Sequence, residues 1–333
     1  MDPTPAQLEA AGLTEVTTYE EIETAYANDA GPLRTWNAKN QNFPPVTSGY
    51  VKVGWQNVPT PQPQPVPVPT PTPEPSGPSG IAIPPVASGY TRALVDDFTE
   101  TSLDPTKWTD RSNATAYNGE SGGTATGYFI SEHVIIENSV AHFQAYPDPT
   151  NIVKCYEYNA TLGESLAYWG GAGTHSNLTF GPGSLTQVCM KFDTYPGIAP
   201  MAIYYGGEEI DFAEFNQIPT KGGSITKFSA TIHWGNHADQ AGIECVAPVD
   251  FSQWHVFALN WSATGLTISC DGAQVGSFTF TATQISGGVN SAQNLCLQIQ
   301  TGDVMPNPPA DPSVSASSPI ELLVDWVTVD VPV

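Results

Sequence analysis

The sequence predicts an all-β protein whose C-terminal two-thirds forms a sandwich of two antiparallel sheets. From about residue 91 to residue 333, short runs of alternating apolar and polar residues are separated by Gly, Pro, Asn and Asp. The clearest runs are HVIIENSVAHFQAY, LTQVCMKFDTY, FSATIHW, WHVFALNW, LTISCDG and IELLVDWVTVDV. Many short strands with turn residues between them, and no long helical pattern, are typical of two packed antiparallel sheets. The Asp271-Gly272 pair between two such runs predicts a tight hairpin turn.

Two segments precede the sandwich, which we assign to residues 91–333. Residues 1–58 contain PAQLEAAGL and TTYEEIETAYAN, whose apolar spacing predicts two short amphipathic helices. A segment of that length buries too little surface to be comfortably stable alone, so we expect it to dock or to oligomerise. Residues 59–90 are rich in proline, which fixes φ and lacks an N–H donor. We therefore expect an extended polyproline II linker there.

The composition argues against several functions. The chain has 33 acidic residues against 10 basic ones, so most of its surface would repel a nucleic acid backbone. Its first residues have no basic region followed by an apolar run, so we expect no signal peptide. No run approaches the roughly 20 apolar residues of a membrane helix, so we expect no membrane insertion. The five cysteines follow no metal-ligand spacing, which favours buried thiols over one or two disulfides.

The run GGEEIDFAEFN carries the chemistry that the sequence suggests. Glu209 and Asp211 are two residues apart, so in a strand they project from one face, while Ile210 and Phe212 point into the core. Glu214 has the opposite parity. A one-residue bulge around Phe212 or Ala213 restores its phase, which brings Glu214 onto the acidic face and leaves Phe215 in the core. We therefore predict a bulged strand with three carboxylates on one side.

Three carboxylates so close together cannot all ionise freely. We expect one of them to keep its proton at neutral pH beside an ionised nucleophile. Two Glu side chains that lean in from either end approach the roughly 5 to 5.5 Å separation that a retaining glycosidase needs. An acidic edge strand can produce the same E-x-D-x-x-E pattern by chance, so the flanking sequence has to decide.

The segment EIDFAEF resembles the bulged E-I-D-x-x-E signature of glycoside hydrolase family 16, which includes laminarinases, agarases and related β-glycanases. ALVDDFTETSLDPTKW resembles the opening strand of that family, and SATIHWGN the strand after the catalytic one. DFSQWHVFALNWSATGLTISCDGAQV is similar to a tryptophan-containing hairpin of the family, and LLVDWVTV to its closing strand. The resemblance covers roughly residues 93–333. It implies a concanavalin A-like jelly roll that acts as a retaining glycoside hydrolase.

The resemblance also implies roles for individual residues. Glu209 would be the nucleophile, Asp211 its hydrogen-bonded tuner and Glu214 the acid/base. On the next strand His233 and Trp234 would face the substrate, where an indole can stack on a sugar ring. A tryptophan packed in the core is the alternative interpretation for Trp234.

Other substrate contacts are expected from the aromatic residues nearby. Many family members have a tryptophan-rich strand before the catalytic one, but this chain has APMAIYYGG, so Tyr204 and Tyr205 are the candidates. Trp169 is a further candidate from a loop, with core packing as the alternative. The resemblance implies no cofactor for the reaction, but it does imply a structural calcium ion on the convex side, bound through Asp325.

The sequence thus predicts an endo-acting hydrolase of a cell-surface polysaccharide, either a β-glucan or a galactan. The alternative is a carbohydrate-binding module with little turnover. A short docking segment, a proline-rich stalk and a glycan domain together resemble a minor tail protein of an actinobacteriophage. That resemblance implies a virion tail location, reached outside the host after lysis. It also implies contacts of residues 1–58 with other tail proteins and a homo-oligomer, with a trimer favoured. A host enzyme exported by a non-standard route is the rival.

Overall fold

The computed structural model describes residues 77–111, 127–148, 169–301 without 217, 219 and 224, and 311–333, and the backbone of two strands nearer the N terminus. The strands are β1 (Thr14–Val16), β2 (Gly49–Val51), β3 (Tyr90–Asp96), β4 (Trp108–Asp110), β5 (Gly127–Phe129), β6 (Val134–Glu137), β7 (Val140–Pro147), β8 (Trp169–Phe180), β9 (Leu185–Phe192), β10 (Ile198–Tyr205), β11 (Glu209–Glu214), β12 (Lys227–Trp234), β13 (Asp239–Val246), β14 (His255–Ser262), β15 (Gly265–Cys270), β16 (Ala273–Thr279), β17 (Gln293–Thr301) and β18 (Ile320–Pro332). The helices of the described residues are a 3₁₀ turn (Ser131–His133) and α1 (Ala282–Ser286). Within these ranges no helix has the length and apolar character needed to cross a membrane.

The chain divides into two compact units, Met1–Thr70 and Pro71–Val333. In the first unit β1 and β2 form an antiparallel pair in which Thr14 lies opposite Val51. The two helices predicted within residues 1–58 lie outside the described residues, as does most of the predicted linker.

The second unit consists of two sheets, and the predicted β-sandwich is confirmed. Sheet I has the strand order β13-β12-β11-β10-β17-β8-β4. Sheet II has the order β6-β7-β18-β9-β14-β15-β16, and β3 pairs with the end of β18 on the same edge as β7. All these neighbours are antiparallel. The sheets are linked where β7 meets β8, with Tyr146 opposite Gly170.

The hydrophobic core lies between the two sheets, and the alternation of each strand supplies it. Phenylalanine rings from both sheets and their connections meet there, with centroids of contacting pairs 4.4 to 6.5 Å apart. These rings belong to Phe192, Phe215, Phe228, Phe251 and Phe257. Each buried ring of this kind contributes about 1.5–3 kcal/mol. The opposite surface of each sheet, turned away from the core, is called its outer face below.

The hairpin between β15 and β16 has the turn that the sequence predicted. Cys270 lies opposite Ala273, and the two residues between them adopt positive φ, 49° at Asp271 and 78° at Gly272. A two-residue turn of this type matches the twist of antiparallel strands and favours a Gly in second position.

The described end of the predicted linker packs on the outer face of sheet II. Ile83 is buried and Ile81 half-buried against Cys189 and Trp326. The indole N–H of Trp326 donates to the carbonyl of Ile81 at 2.8 Å. This last part of residues 59–90 therefore packs as part of the sandwich unit, because its apolar side chains are buried there rather than solvated.

The four described cysteines are buried free thiols, as the favoured interpretation of the sequence predicted. Burial raises the pKa of Cys189 and Cys270 to about 12 and the pKa of Cys245 and Cys296 to about 11. Cys155 lies outside the described residues.

Candidate active site

Strand β11 contains a one-residue bulge. Against β12, Asp211 lies opposite Thr231 and Glu214 lies opposite Ser229, so β11 has one more residue than its partner between these pairs. Against β10 the register passes over Phe212. The predicted bulge is confirmed, and Phe212 is the extra residue.

The bulge separates the acidic and apolar side chains of this segment. Glu209 and Glu214 are half-buried on the outer face of sheet I, and Asp211, 4% exposed, lies between them. The apolar side chains in the core are Ile210, Phe212, Ala213 and Phe215. The sequence predicted the side on which each of six of these residues lies: Glu209, Asp211 and Glu214 outside, and Ile210, Phe212 and Phe215 in the core.

Asp211 is the buried carboxyl of the site. Burial, the negative charges of Glu209 and Glu214, and hydrogen bonding to Glu209 raise the pKa of Asp211 well above its usual range. The proton expected on one of the three carboxyls is therefore held by Asp211. While Asp211 is protonated, it adds no negative charge beside Glu209.

Two histidines approach the same carboxylates. His233 of β12 lies opposite Glu209, and its Nε2 is 3.2 Å from Asp211 Oδ2 and 4.0 Å from Glu209 Oε2. Burial lowers the pKa of His233, although the nearby Glu209 opposes this shift. His237, in the turn after β12, has its Nδ1 3.4 Å from Glu209 Oε2. Sequence reasoning missed His237. The run HWGNH was the available signal, since a Gly-Asn turn folds its second histidine back toward the first.

Tyr205 flanks the carboxylates on the other side. It lies opposite Glu209 on β10, with its ring 5.5 Å from the ring of His237 and 4.9 Å from the guanidinium carbon of Arg111. The Arg111 guanidinium also donates to Gln298. The ring of Tyr205 can stack on a sugar, and the guanidinium N–H groups of Arg111 can donate to its hydroxyls. Nothing in the local sequence around Arg111 indicated this position.

Shallow cavities lie on both sides of the carboxylates. One, of about 280 Å³, is lined by residues of β8, β10 and β17, among them Tyr205 and Asn294. The other, of about 210 Å³, lies over β12 and β13 and includes Thr231 and Glu244. A chain molecule laid across sheet I would occupy both cavities and present a middle bond to β11. This arrangement suits internal cleavage of a polymer.

Solved structures of β-glucanases have a similar fold. A laminarinase catalytic domain from Thermotoga maritima MSB8 aligns with a TM-score of 0.58 at 17% identity, over 73% of this chain and 99% of that one. An endo-β-1,3-glucanase from Pyrococcus furiosus aligns with a TM-score of 0.56 at 19% identity, over 73% and 95%. A non-specific endo-β-1,3(4)-glucanase of glycoside hydrolase family 16 aligns with a TM-score of 0.57 at 18% identity, over 75% of this chain and 94% of that one. The chain has the jelly-roll fold of these glucanases. No family model and no curated protein matches its sequence.

The prediction of Tyr204 as a substrate contact is wrong because its side chain lies in the core, whereas Trp169 and Trp234 pack as their alternative interpretations predicted. Tyr204 is fully buried and Trp169 is 1% exposed at the start of β8. Trp234 is half-buried and packs against the core. Adjacent residues of a strand face opposite sides, so the outward positions of Tyr205 and His233 turn Tyr204 and Trp234 inward.

Asp325 lies on the outer face of sheet II, away from the carboxylates of β11. The register of β18 against β9 shifts between Val324 and Trp326, so Asp325 is the extra residue of a second bulge. Its Oδ2 accepts a hydrogen bond from the Ser79 N–H at 3.2 Å, while its Oδ1 is buried without a hydrogen-bond partner among the described residues. Burial raises the pKa of Asp325. A buried carboxylate oxygen without a donor is the kind of ligand that Ca²⁺ takes, so this residue fits the expected ion.

Proposed function

We propose that the chain is a retaining endo-glycosidase of a polysaccharide, with β-glucan as the first candidate substrate and galactan as the second. The observation that carries this proposal is the bulge in β11. It turns Glu209 and Glu214 onto one open surface, with the buried Asp211 between them. The likeness of the fold to β-1,3- and β-1,3(4)-glucanases supports the order of the two substrate candidates.

In the proposed reaction Glu209 attacks the anomeric carbon while Glu214 protonates the departing glycosidic oxygen, which gives a glycosyl-enzyme. A water molecule then attacks the same carbon, with Glu214 as the general base, so the anomeric configuration is retained. Protonated Asp211 donates toward Glu209 and adds no third charge. His233 holds Asp211 from the neighbouring strand. Tyr205 offers a ring on which a sugar can stack.

Reducing-end release from laminarin, mixed-linkage β-glucan and agarose tests the proposal. Glu209→Gln and Glu214→Gln should each lower the rate by at least about 10³-fold, as losses of a nucleophile or an acid/base commonly do. Glu137→Gln is a matched control, because Glu137 is an exposed glutamate at the end of β6 on sheet II, away from the carboxylates of β11. Equal rates for wild type and Glu209→Gln on every glycan would leave the carbohydrate-binding module as the function.

Azide rescue separates the two roles. With Glu209→Ala, azide takes the place of the nucleophile, so the glycosyl azide should form with inverted configuration. With Glu214→Ala, azide replaces the second water instead, and the product should retain the configuration. The opposite pair of outcomes would exchange the two assignments.

We further propose, from the organisation of the sequence, that the enzyme acts from a virion tail. Residues 1–58 would dock onto other tail proteins, with a trimer as the favoured assembly, and the proline-rich segment would hold the glycosidase away from them. Mass spectrometry of purified particles tests the location, and cross-linking tests the assembly. A lysate that contains the protein while its particles do not would favour a host enzyme exported by another route.

A further inference from the structure

The turn between β12 and β13 brings His237 back over the start of β11. Its backbone has positive φ at three consecutive residues, 69° at Gly235, 57° at Asn236 and 59° at His237. Two hydrogen bonds hold it: Asn236 N–H donates to Glu208 Oε1 at 3.1 Å, and Gly235 N–H donates to the carbonyl of Gly287 at 2.8 Å. Positive φ outside glycine is costly and persists where the surroundings fix it. The fold therefore fixes the backbone of His237 at the position from which its imidazole contacts Glu209.

Three potential ligand atoms converge at this point. His237 Nδ1 is 3.4 Å from Glu209 Oε2, and His233 Nε2 is 4.0 Å from the same oxygen. The two imidazole rings are 5.7 Å apart between centroids, and all three ligand atoms lie within 4.8 Å of one another. Tetrahedral bonds of about 2.0–2.1 Å to zinc place neighbouring ligand atoms about 3.3–3.4 Å apart. The His237–Glu209 pair already has that spacing, and the His233 Nε2–Glu209 Oε2 distance exceeds it by about 0.6 Å.

We infer that Glu209, His233 and His237 form a binding site for a divalent transition ion of the Zn²⁺ class. Two imidazole nitrogens and one carboxylate suit such an ion, whereas Ca²⁺ and Mg²⁺ prefer oxygen ligands alone. Each of the three side chains is 17–20% exposed, so the fourth coordination position is open to solvent on the outer face of sheet I. The bound ion is coordinated by Glu209, the carboxylate that attacks the sugar, and therefore inhibits hydrolysis. This inhibitory consequence, unlike the binding, rests on the proposed function.

A second group of potential ligands lies elsewhere in the described residues, at His255, Cys270 and Asp271. There the two ring nitrogens of His255 are already engaged, Nε2 3.0 Å from the Asp250 carbonyl oxygen and Nδ1 2.7 Å from Asp271 Oδ2. Cys270 is moreover a buried core residue. This group serves as the competing site in the experiment.

Isothermal titration of the full chain with ZnCl₂ tests the inference. His237→Ala should weaken binding by at least about 10-fold, since even the loss of an outer-shell partner costs 10- to 100-fold in metal affinity. His142→Ala is the matched control, because His142 also has a ring nitrogen close to a carboxylate, 3.1 Å from Glu321 Oε1, but lies on sheet II. His255→Ala reports the competing site. Unchanged binding by His237→Ala, or a loss confined to His255→Ala, would overturn the inference.

Hydrolysis provides the second measurement. Zinc should inhibit the wild type and should inhibit His237→Ala at least about 10-fold less strongly. Zinc binding in a protein that hydrolyses no glycan would contradict only the proposed function. Hydrolysis that zinc does not affect would contradict only the inhibitory site.

Discussion

Replacing Asp211 with asparagine should make the stability of the protein less dependent on pH. Burial beside Glu209 and Glu214 raises the pKa of Asp211 in the folded state above its unfolded value, so folding takes up a proton between these two pKa values. The unfolding free energy of the wild type therefore falls as pH rises through that window. One proton accounts for at most about 1.4 kcal/mol per pH unit. The amide has no proton to lose, so Asp211→Asn lacks this contribution.

The gain in unfolding free energy of Asp211→Asn over wild type should thus grow from about pH 4 upward and become constant above the folded pKa. Urea denaturation at intervals of about one unit between pH 4 and pH 7 measures it. Glu244→Gln changes an exposed carboxylate of the same sheet, so the difference in unfolding free energy between this variant and the wild type should vary little with pH. A difference between Asp211→Asn and wild type that stays constant over this range would refute the assignment of the proton to Asp211.

Three further predictions concern the positions of other side chains. Tyr205→Ala should raise KM about 10-fold through the loss of a sugar-stacking ring, whereas Tyr204→Phe should leave KM unchanged and cost about 1 kcal/mol of stability by removing a buried hydrogen bond. An equal effect of both on KM would contradict the two orientations. We propose a structural Ca²⁺ at Asp325, so chelation should lower the Tm of the wild type and should not affect that of Asp325→Asn. A free Ca²⁺ concentration of 100 times Kd contributes about 2.7 kcal/mol to the unfolding free energy, which chelation removes. No response of the wild type to chelation would exclude the ion. Because the pKa values of the four described thiols lie near 11 to 12, any thiol that reacts quickly with a disulfide reagent in the folded protein should be Cys155.

Strand β11 could be predicted in detail because its side-chain pattern depends on one strand alone. Side chains alternate along any strand, so the positions of Glu209, Asp211 and Glu214 require an extra residue if all three are to share a face. That requirement does not depend on the neighbouring strands. The identity of those neighbours, and the residues that they contribute, are long-range properties.

The two adjacent tyrosines show where such reasoning stops. Alternation requires Tyr204 and Tyr205 to face opposite sides but does not say which faces outward. The answer depends on the register that sets Tyr205 opposite Glu209, and so on the length of the turn that joins β10 to β11. Arg111 is more distant still. It reaches Tyr205 because β4 pairs with β8, β8 with β17, and β17 with β10.

The bulges of β11 and β18 explain why the position of Glu214 could be assigned from its own strand and that of Asp325 could not. At β11 the core residues Phe212 and Phe215, the second just after the strand, are three apart, and in β18 the core residues Val324 and Val327 are three apart as well. A regular strand would turn the second member of each pair outward. In EIDFAEF the outer face is acidic, so the break in alternation is visible in the sequence. In LLVDWVTV both faces are mostly apolar, and Trp326 could fill a core position as well as Val327 does. A bulge can therefore be detected from sequence only where the two faces of the strand differ in polarity, as they do at a binding groove.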